Sequence, residues 1–238
     1  MSYFEKIFLD NIIKNDVKII FELGSRDLID AIKLQKYYGA KVYAFECNPD
    51  CLLECKKNLL NAMVIKPKIK PTDIFLVENA VSITDDIVSF YPFDLSKYNN
   101  MGSSSMFKID FSKRDEYDPD YNRPNPQKEI TVQGIRLDTF IKINNINAVD
   151  MLCIDLQGYE LNAIKSLGSY LNFVKYIIVE CSIENTYIGG STFMELYDYL
   201  AQYNFKYMSS TEYNYDLPNV HNKGFTEFDV LFVRKDVK

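Results

Sequence analysis

Short apolar runs alternate with amphipathic stretches along most of this chain. Val17 to Glu22 reads as a strand and Leu28 to Tyr38 as a helix; Lys41 to Glu46 reads as the next strand, followed by a helix from about Pro49 to Asn61. Asn48 can cap that helix, and Pro49 suits its first turn. A third strand is expected near Ile74 to Asn79, and residues 1–16 read as a helical lead-in. A strand-then-helix rhythm of this kind predicts a parallel sheet. The rhythm then breaks. Ile87 to Tyr91 reads as an extra strand, and Pro92 to Lys128 is polar, without apolar periodicity. An irregular insertion of that length inside a compact domain is usually a functional loop, so 92–128 is read as an inserted loop or lid. The pattern resumes with a strand at Glu129 to Val132, a helix at Leu137 to Ile143, a strand at Val149 to Ile154, a helix at Tyr159 to Leu167 and a strand at Tyr176 to Glu180. A helix at Thr192 to Tyr203 and strands at Phe205 to Met208 and Glu227 to Val233 complete the chain.

Length and composition limit what this pattern can be. With 238 residues, 47% of them hydrophobic, the chain has enough apolar surface for one α/β core, so 1–238 is read as a single domain. The sequence has no apolar run near twenty residues and no signal-peptide pattern, so a soluble, cytoplasmic protein without a membrane span is expected. A net charge of −6, with no dense Lys/Arg run, offers little to a polyanion, and nucleic acid is not expected as a partner. Five cysteines without a disulfide-module pattern fit reduced thiols. Cys47, Cys51 and Cys55 recur every fourth residue, which places them along one helix face as packing; no metal is expected.

Chemistry enters at the carboxyl ends of the strands, where open α/β sheets bind ligands. Four predicted strands end in acids: Glu22, Glu46, Asp155 and Glu180. The first turn, Glu22-Leu23-Gly24-Ser25-Arg26-Asp27, has one of the three glycines that a dinucleotide site needs, and Asp27 puts a carboxylate where a pyrophosphate would sit. S-adenosylmethionine has no phosphate and carries a sulfonium and an ammonium, so acidic residues attract it. Glu46, 22 positions after Gly24, lies where an acid at the end of the second strand accepts hydrogen bonds from ribose hydroxyls.

The blocks Phe21-Glu22-Leu23-Gly24-Ser25-Arg26-Asp27, Phe45-Glu46-Cys47-Asn48-Pro49, Glu78-Asn79-Ala80-Val81-Ser82, Gly102-Ser103-Ser104-Ser105, Arg136-Leu137-Asp138-Thr139 and Asp155-Leu156-Gln157-Gly158-Tyr159-Glu160 together resemble the FkbM-type methyltransferases. The resemblance implies a Rossmann-like class I methyltransferase: a seven-stranded, mostly parallel sheet whose last strand is antiparallel, with helices on both faces and a long insertion after the third strand. It also implies O-methylation of sugars, glycans or other hydroxylated small molecules with S-adenosylmethionine as cofactor. Position by position, it places Glu22 and Gly24 at the methionine part, Glu46 at the ribose, Asn79 and Ala80 at the adenine edge, and Asp155 nearest the sulfonium. Ser25, Arg26, Asp27, Cys47 and Asn48 flank these positions and join the cofactor set. The Gly102 to Ser105 block, with Ser104, is read as a flap near cofactor or acceptor, or else as a plain Ser/Gly surface turn. Two departures stand out: the family commonly has glycine at the Asp27 position, and Val-Glu-Gly in place of Leu156-Gln157-Gly158.

Methyl transfer from a sulfonium to a hydroxyl needs mainly positioning and a group to take the proton. Asp155, Glu180 and Glu160 are the candidate catalytic residues, with His221 as a further one. Whether Asp155 serves as base or as cofactor ligand stays open, as do the identity of the acceptor and the oligomeric state. A nucleic-acid (RNA ribose) methyltransferase and a non-catalytic scaffold that keeps the fold are the alternative functions. Tyr117, Tyr121, Tyr213 and Tyr215 fall in predicted loops on the acceptor side, compatible with stacking on sugar rings, although the 18 tyrosines also fit a biased composition.

Overall fold

The computed structural model describes residues 3–65, 71–96, 101–110, 127–184, 186–211 and 227–237. His221 and the four loop tyrosines lie outside the described residues. A single helical turn, α1 (Lys6–Leu9), precedes β1 (Ile19–Leu23), α2 (Ile29–Tyr38), β2 (Lys41–Phe45), α3 (Pro49–Ile65) and β3 (Ile74–Val77). The short strands β4 (Ala80–Val81), β5 (Ile87–Phe90) and β6 (Ile130–Ile135) follow, then α4 (Leu137–Ile143), β7 (Met151–Ile154), α5 (Glu160–Lys165) and β8 (Tyr176–Ser182). The chain closes with α6 (Phe193–Gln202), β9 (Phe205–Ser210) and β10 (Glu227–Arg234).

Seven strands form one sheet in the order β3-β2-β1-β7-β8-β10-β9. Neighbours from β3 to β8 run parallel, and β10 is antiparallel to both β8 and β9. The chain winds outward from β1 to β3 and then returns to β7 on the other side of β1. That reversal opens a crevice at the carboxyl ends of β1 and β7.

Both faces of this sheet are covered, so its strands are apolar at nearly every position rather than at alternate ones. One face packs Phe21, Leu23, Leu152, Ile154, Ile177 and Val179 against α4, α5 and α6 through Phe140, Ile141, Ile164, Phe193 and Leu196. The other packs Ile20, Val42, Ala44, Met151, Cys153 and Ile178 against α1, α2 and α3 through Phe8, Ala31, Leu34, Cys55 and Ala62. The lead-in is tied to this second face. Ser209 Oγ donates to the Ile7 carbonyl at 3.2 Å, and Ile13 N donates to the Tyr176 hydroxyl at 3.1 Å. Among the described residues, no helix is long and apolar enough to cross a membrane.

The structure departs from the sequence pattern in the strand read at Glu129 to Val132, which belongs to a separate three-stranded sheet, β4-β6-β5, with β5 antiparallel. Its burial alternates along Ile130 to Gln133, as expected for a sheet covered on one face only. The Tyr176 to Glu180 strand runs on to Ser182, so Glu180 sits inside β8 rather than at its end. Asn48 caps α3 as expected, its Oδ1 accepting from Asp50 N at 3.1 Å.

Candidate functional site

The turn after β1 is forced into shape by its neighbours. Gly24 has φ +86°, and a Cβ there would lie 1.9 Å from the Asp155 carbonyl oxygen at the end of β7, so only glycine fits. Gly24 N and Ser25 N both donate to the Phe45 carbonyl at 3.0 Å. Arg26 (φ 54°) and Leu28 (φ 67°) are also left-handed, a costly conformation for side-chain-bearing residues that needs outside support. Helix α3 supplies part of it: Asn58 Nδ2 donates to the Asp27 carbonyl at 2.9 Å, and the Cys55 thiol to the Arg26 carbonyl at 3.5 Å. Asp27 Oδ1 accepts from Ile29 N at 3.0 Å and so caps α2, whose own N-cap, Leu28, has no acceptor to offer.

Glu46, just past β2, supplies the rest. Its Oε2 accepts from Arg26 N at 2.8 Å, and its Oε1 accepts from Cys47 N at 2.8 Å and Asn48 N at 2.7 Å. Three of about four acceptor positions on the carboxylate are therefore filled by backbone. Burial raises the Glu46 pKa, and these three donors oppose the rise. Glu22, buried one residue before the end of β1, accepts from Ser25 Oγ at 2.6 Å. Burial pushes its pKa up to about 8, against the Ser25 hydrogen bond and with the charges of Asp30, Asp27 and Glu46 adding to the rise.

The segment after β7 makes a second left-handed turn, at Gln157 (φ 53°) and Gly158 (φ 98°). Gln157 Nε2 donates to Asp155 Oδ1 at 2.8 Å and to Glu180 Oε2 at 2.5 Å, while its Oε1 accepts from the Tyr187 hydroxyl at 2.7 Å. Glu180 is raised well above the usual carboxylate range by burial first, then by Asp155 and the acids around it. Glu160 accepts from Leu156 N and Gly158 N, each at 3.0 Å, both at Oε1, and burial pushes it up to about 7.

The inserted segment leans onto this loop. Ser105 Oγ donates to the Gln157 carbonyl at 2.7 Å, and Asn48 Nδ2 donates to Ser104 Oγ at 3.3 Å. The Gly102 to Ser105 block is therefore a wall of the site rather than a detached surface turn.

All twelve residues assigned to the cofactor from sequence line one cleft of about 910 Å³, counting its open mouth. Of the candidate catalytic residues that are described, only Asp155 is on its wall. Glu180 sits behind Gln157, and Glu160 holds the loop from beneath. Tyr3, Asp30, Phe90, Met101, Met106 and Gln157 also line the cleft. Tyr3 gave no signal in the pattern, because it lies ahead of β1 and reaches the cleft only through the anchored lead-in. Among the described residues of the wall, Glu22, Asp27, Asp30, Glu46 and Asp155 surround a single cation, Arg26.

This strand order, with one reversed strand and a cleft at the switch point, is a class I methyltransferase fold. The chain belongs to the FkbM methyltransferase family, its residues 24–207 matching the methyltransferase FkbM domain. It is similar to the 2-O-methyltransferase NoeI of Sinorhizobium fredii (strain NBRC 101917 / NGR234), 24% identical over 191 residues that make up 78% of this chain and 72% of NoeI. Its fold is similar to the crystal structure of methyltransferase FkbM from Methylobacillus flagellatus KT, with a TM-score of 0.55 at 10% identity. That match covers 91% of this chain and 44% of the other, so the chain spans less than half of that protein's length.

Proposed function

We propose that this chain is an S-adenosylmethionine-dependent O-methyltransferase acting on a hydroxyl of a sugar, glycan or other small molecule. The observation that carries the reading is the acidity of the cleft: five acidic side chains, of which Glu22 holds its proton up to about pH 8, and one guanidinium line its described wall, around a glycine turn that leaves no room for a side chain. A phosphate would be repelled there, whereas a ligand bearing a sulfonium and an ammonium is attracted.

When bound, S-adenosylmethionine supplies an activated methyl group on its sulfonium. Glu46 keeps one acceptor position for a ribose hydroxyl, fewer than the two that its place at the strand end leads one to expect. Asn79 and Ala80 border the adenine, and Asp155, joined by Glu22 once it gives up its proton, provides counter-charge along the methionine arm. Among the described candidate proton acceptors Asp155 is the one on the wall, able to take the acceptor's hydroxyl proton as the new bond forms. Met101 and Met106 add apolar surface that keeps water from the reacting groups. Transfer to oxygen is further supported by NoeI, whose name specifies 2-O-methylation.

The test is incubation of the purified protein with methyl-labelled S-adenosylmethionine and a panel of nucleotide sugars and glycans, read by mass spectrometry. A mass gain of one methyl on a hydroxyl supports the reading. Failure of the protein to bind either S-adenosylmethionine or S-adenosylhomocysteine would remove it.

A further inference from the structure

Gln157 stands between two carboxylates and is held from its other end. Its single NH2 group donates to Asp155 on the cleft wall and to Glu180 behind it, and its oxygen accepts from Tyr187. This orientation is chemically required, since only the nitrogen end can face two carboxylates and only the oxygen can receive a hydroxyl proton. The Tyr187 proton has a second acceptor in reach, the Ser103 carbonyl at 3.2 Å, which links the amide to the inserted segment. Ser105 holds the Gln157 backbone from the same segment, and a Cβ on Gly158 would lie 3.0 Å from Tyr187 Cβ, so ring and loop are closely packed.

We propose that Gln157 is a positioning residue: by sharing its two N–H donors between Asp155 and half-buried Glu180, it fixes the Asp155 carboxylate at the cleft wall, and Tyr187 anchors the amide that does so. The inference rests on the reading of the cleft as an S-adenosylmethionine site and specifies how its wall charge is held. In this chain a neutral donor suits the place, where the family commonly has a glutamate. Gln157 itself touches Asp155, just past β7, Glu180 of β8 and the Tyr187 phenol, and the acids acting on Glu180 are Asp155, Glu227 and Asp229 from β10, and Glu160 from α5. An ionised acid at position 157 would add a further negative charge and remove both donors. A protonated one would restore a single donor.

The test uses calorimetric affinities of the full chain for S-adenosylmethionine and for S-adenosylhomocysteine, which lacks the sulfonium charge. Gln157→Asn suits the left-handed backbone at this position but is one methylene too short to reach both acids. It should weaken S-adenosylmethionine by about tenfold and S-adenosylhomocysteine much less. In an Asp155→Asn background the same change should add almost nothing, because its effect passes through Asp155. Gln157→Glu should be weakest relative to native protein at pH 8 and should recover towards native affinity at pH 6 as the new acid takes up a proton. Tyr187→Phe, which keeps the ring, should give a smaller loss of about threefold. A native-to-Gln157→Glu affinity ratio constant from pH 6 to 8, or additive losses in the double variant, would overturn the inference while leaving the cofactor reading intact. A native protein that binds neither ligand would overturn both.

Discussion

Gly24 and Asp155 meet backbone to backbone: the carbonyl oxygen of Asp155 occupies the space where a Gly24 side chain would begin, 1.9 Å from its ideal Cβ. Two strand ends thereby close on each other, and the Asp155 carboxylate is carried to the cleft by the contact. Gly24→Ala should therefore cost stability through both the φ of +86° and the overlap, by at least about 1–3 kcal/mol. It should also weaken S-adenosylhomocysteine binding. Urea unfolding and calorimetry read the two effects, and a variant with native stability would show that the strand ends part at no cost.

Glu46 shapes the turn as well as lining the cleft. In Glu46→Gln the amide oxygen can keep Cys47 N and Asn48 N, but the nitrogen must then face Arg26 N, donor against donor. Stability should fall by about 1–3 kcal/mol, and S-adenosylhomocysteine affinity by roughly tenfold. A loss of affinity with unchanged stability would mean that the Arg26 contact contributes nothing to the fold.

Asp155 and Glu160 should separate cleanly in kinetics. With the acceptor in hand, Asp155→Asn should lower kcat by about a hundredfold and weaken S-adenosylmethionine more than S-adenosylhomocysteine. Glu160→Gln should retain near-native kcat, since both backbone donors already go to one oxygen that glutamine preserves. Glu160→Ala should instead destabilise the loop by leaving two N–H groups unpaired. Loss of turnover in Glu160→Gln would return that residue to the chemistry.

Burial makes stability depend on pH in a definite direction. Glu22, at about 8, and Glu160, at about 7, hold protons more tightly in the folded chain than at the ordinary value of 4.5. Their contribution is fully present below about 4.5 and is lost as pH rises through about 7 and 8. Urea midpoints measured from pH 5 to 8 should fall with these groups, and Glu22→Gln should flatten part of the slope. Binding of the cationic cofactor should release a proton from Glu22, so its affinity should rise over the same range. An unchanged slope in Glu22→Gln would place that carboxylate in water.

Periodicity made the central sheet legible because its strands are buried on both faces, so that Ile19 to Leu23 and Met151 to Ile154 are near-continuous apolar runs. The lining of the cleft was legible for a related reason: Gly24, Glu46 and Asp155 directly terminate or follow such runs. β6 was legible as a strand, but its place in a smaller sheet was not, because its length fits either sheet and only its alternating burial marks the difference. Glu180 looked like Asp155 in sequence. Its strand continues two residues further and so withdraws it behind the wall, which a one-dimensional pattern does not reveal. Glu160 looked like a proton acceptor because it opens a helix beside Asp155. Its carboxylate points back at the preceding loop, which only the left-handed turn at Gln157 and Gly158 makes possible.

β10 follows the other six strands of the sheet in sequence but lies inside it, between β8 and β9. Until it arrives, β9 has no strand beside it, and β8 presents a row of unpaired backbone next to the fully buried Ile177, Ile178 and Val179. A chain emerging from the ribosome therefore carries an open, adhesive seam until Glu227 to Arg234 has been made. A stop codon ahead of Glu227 would leave that seam open for good, so the segment that supplies β10 tolerates truncation no better than the middle of the sheet.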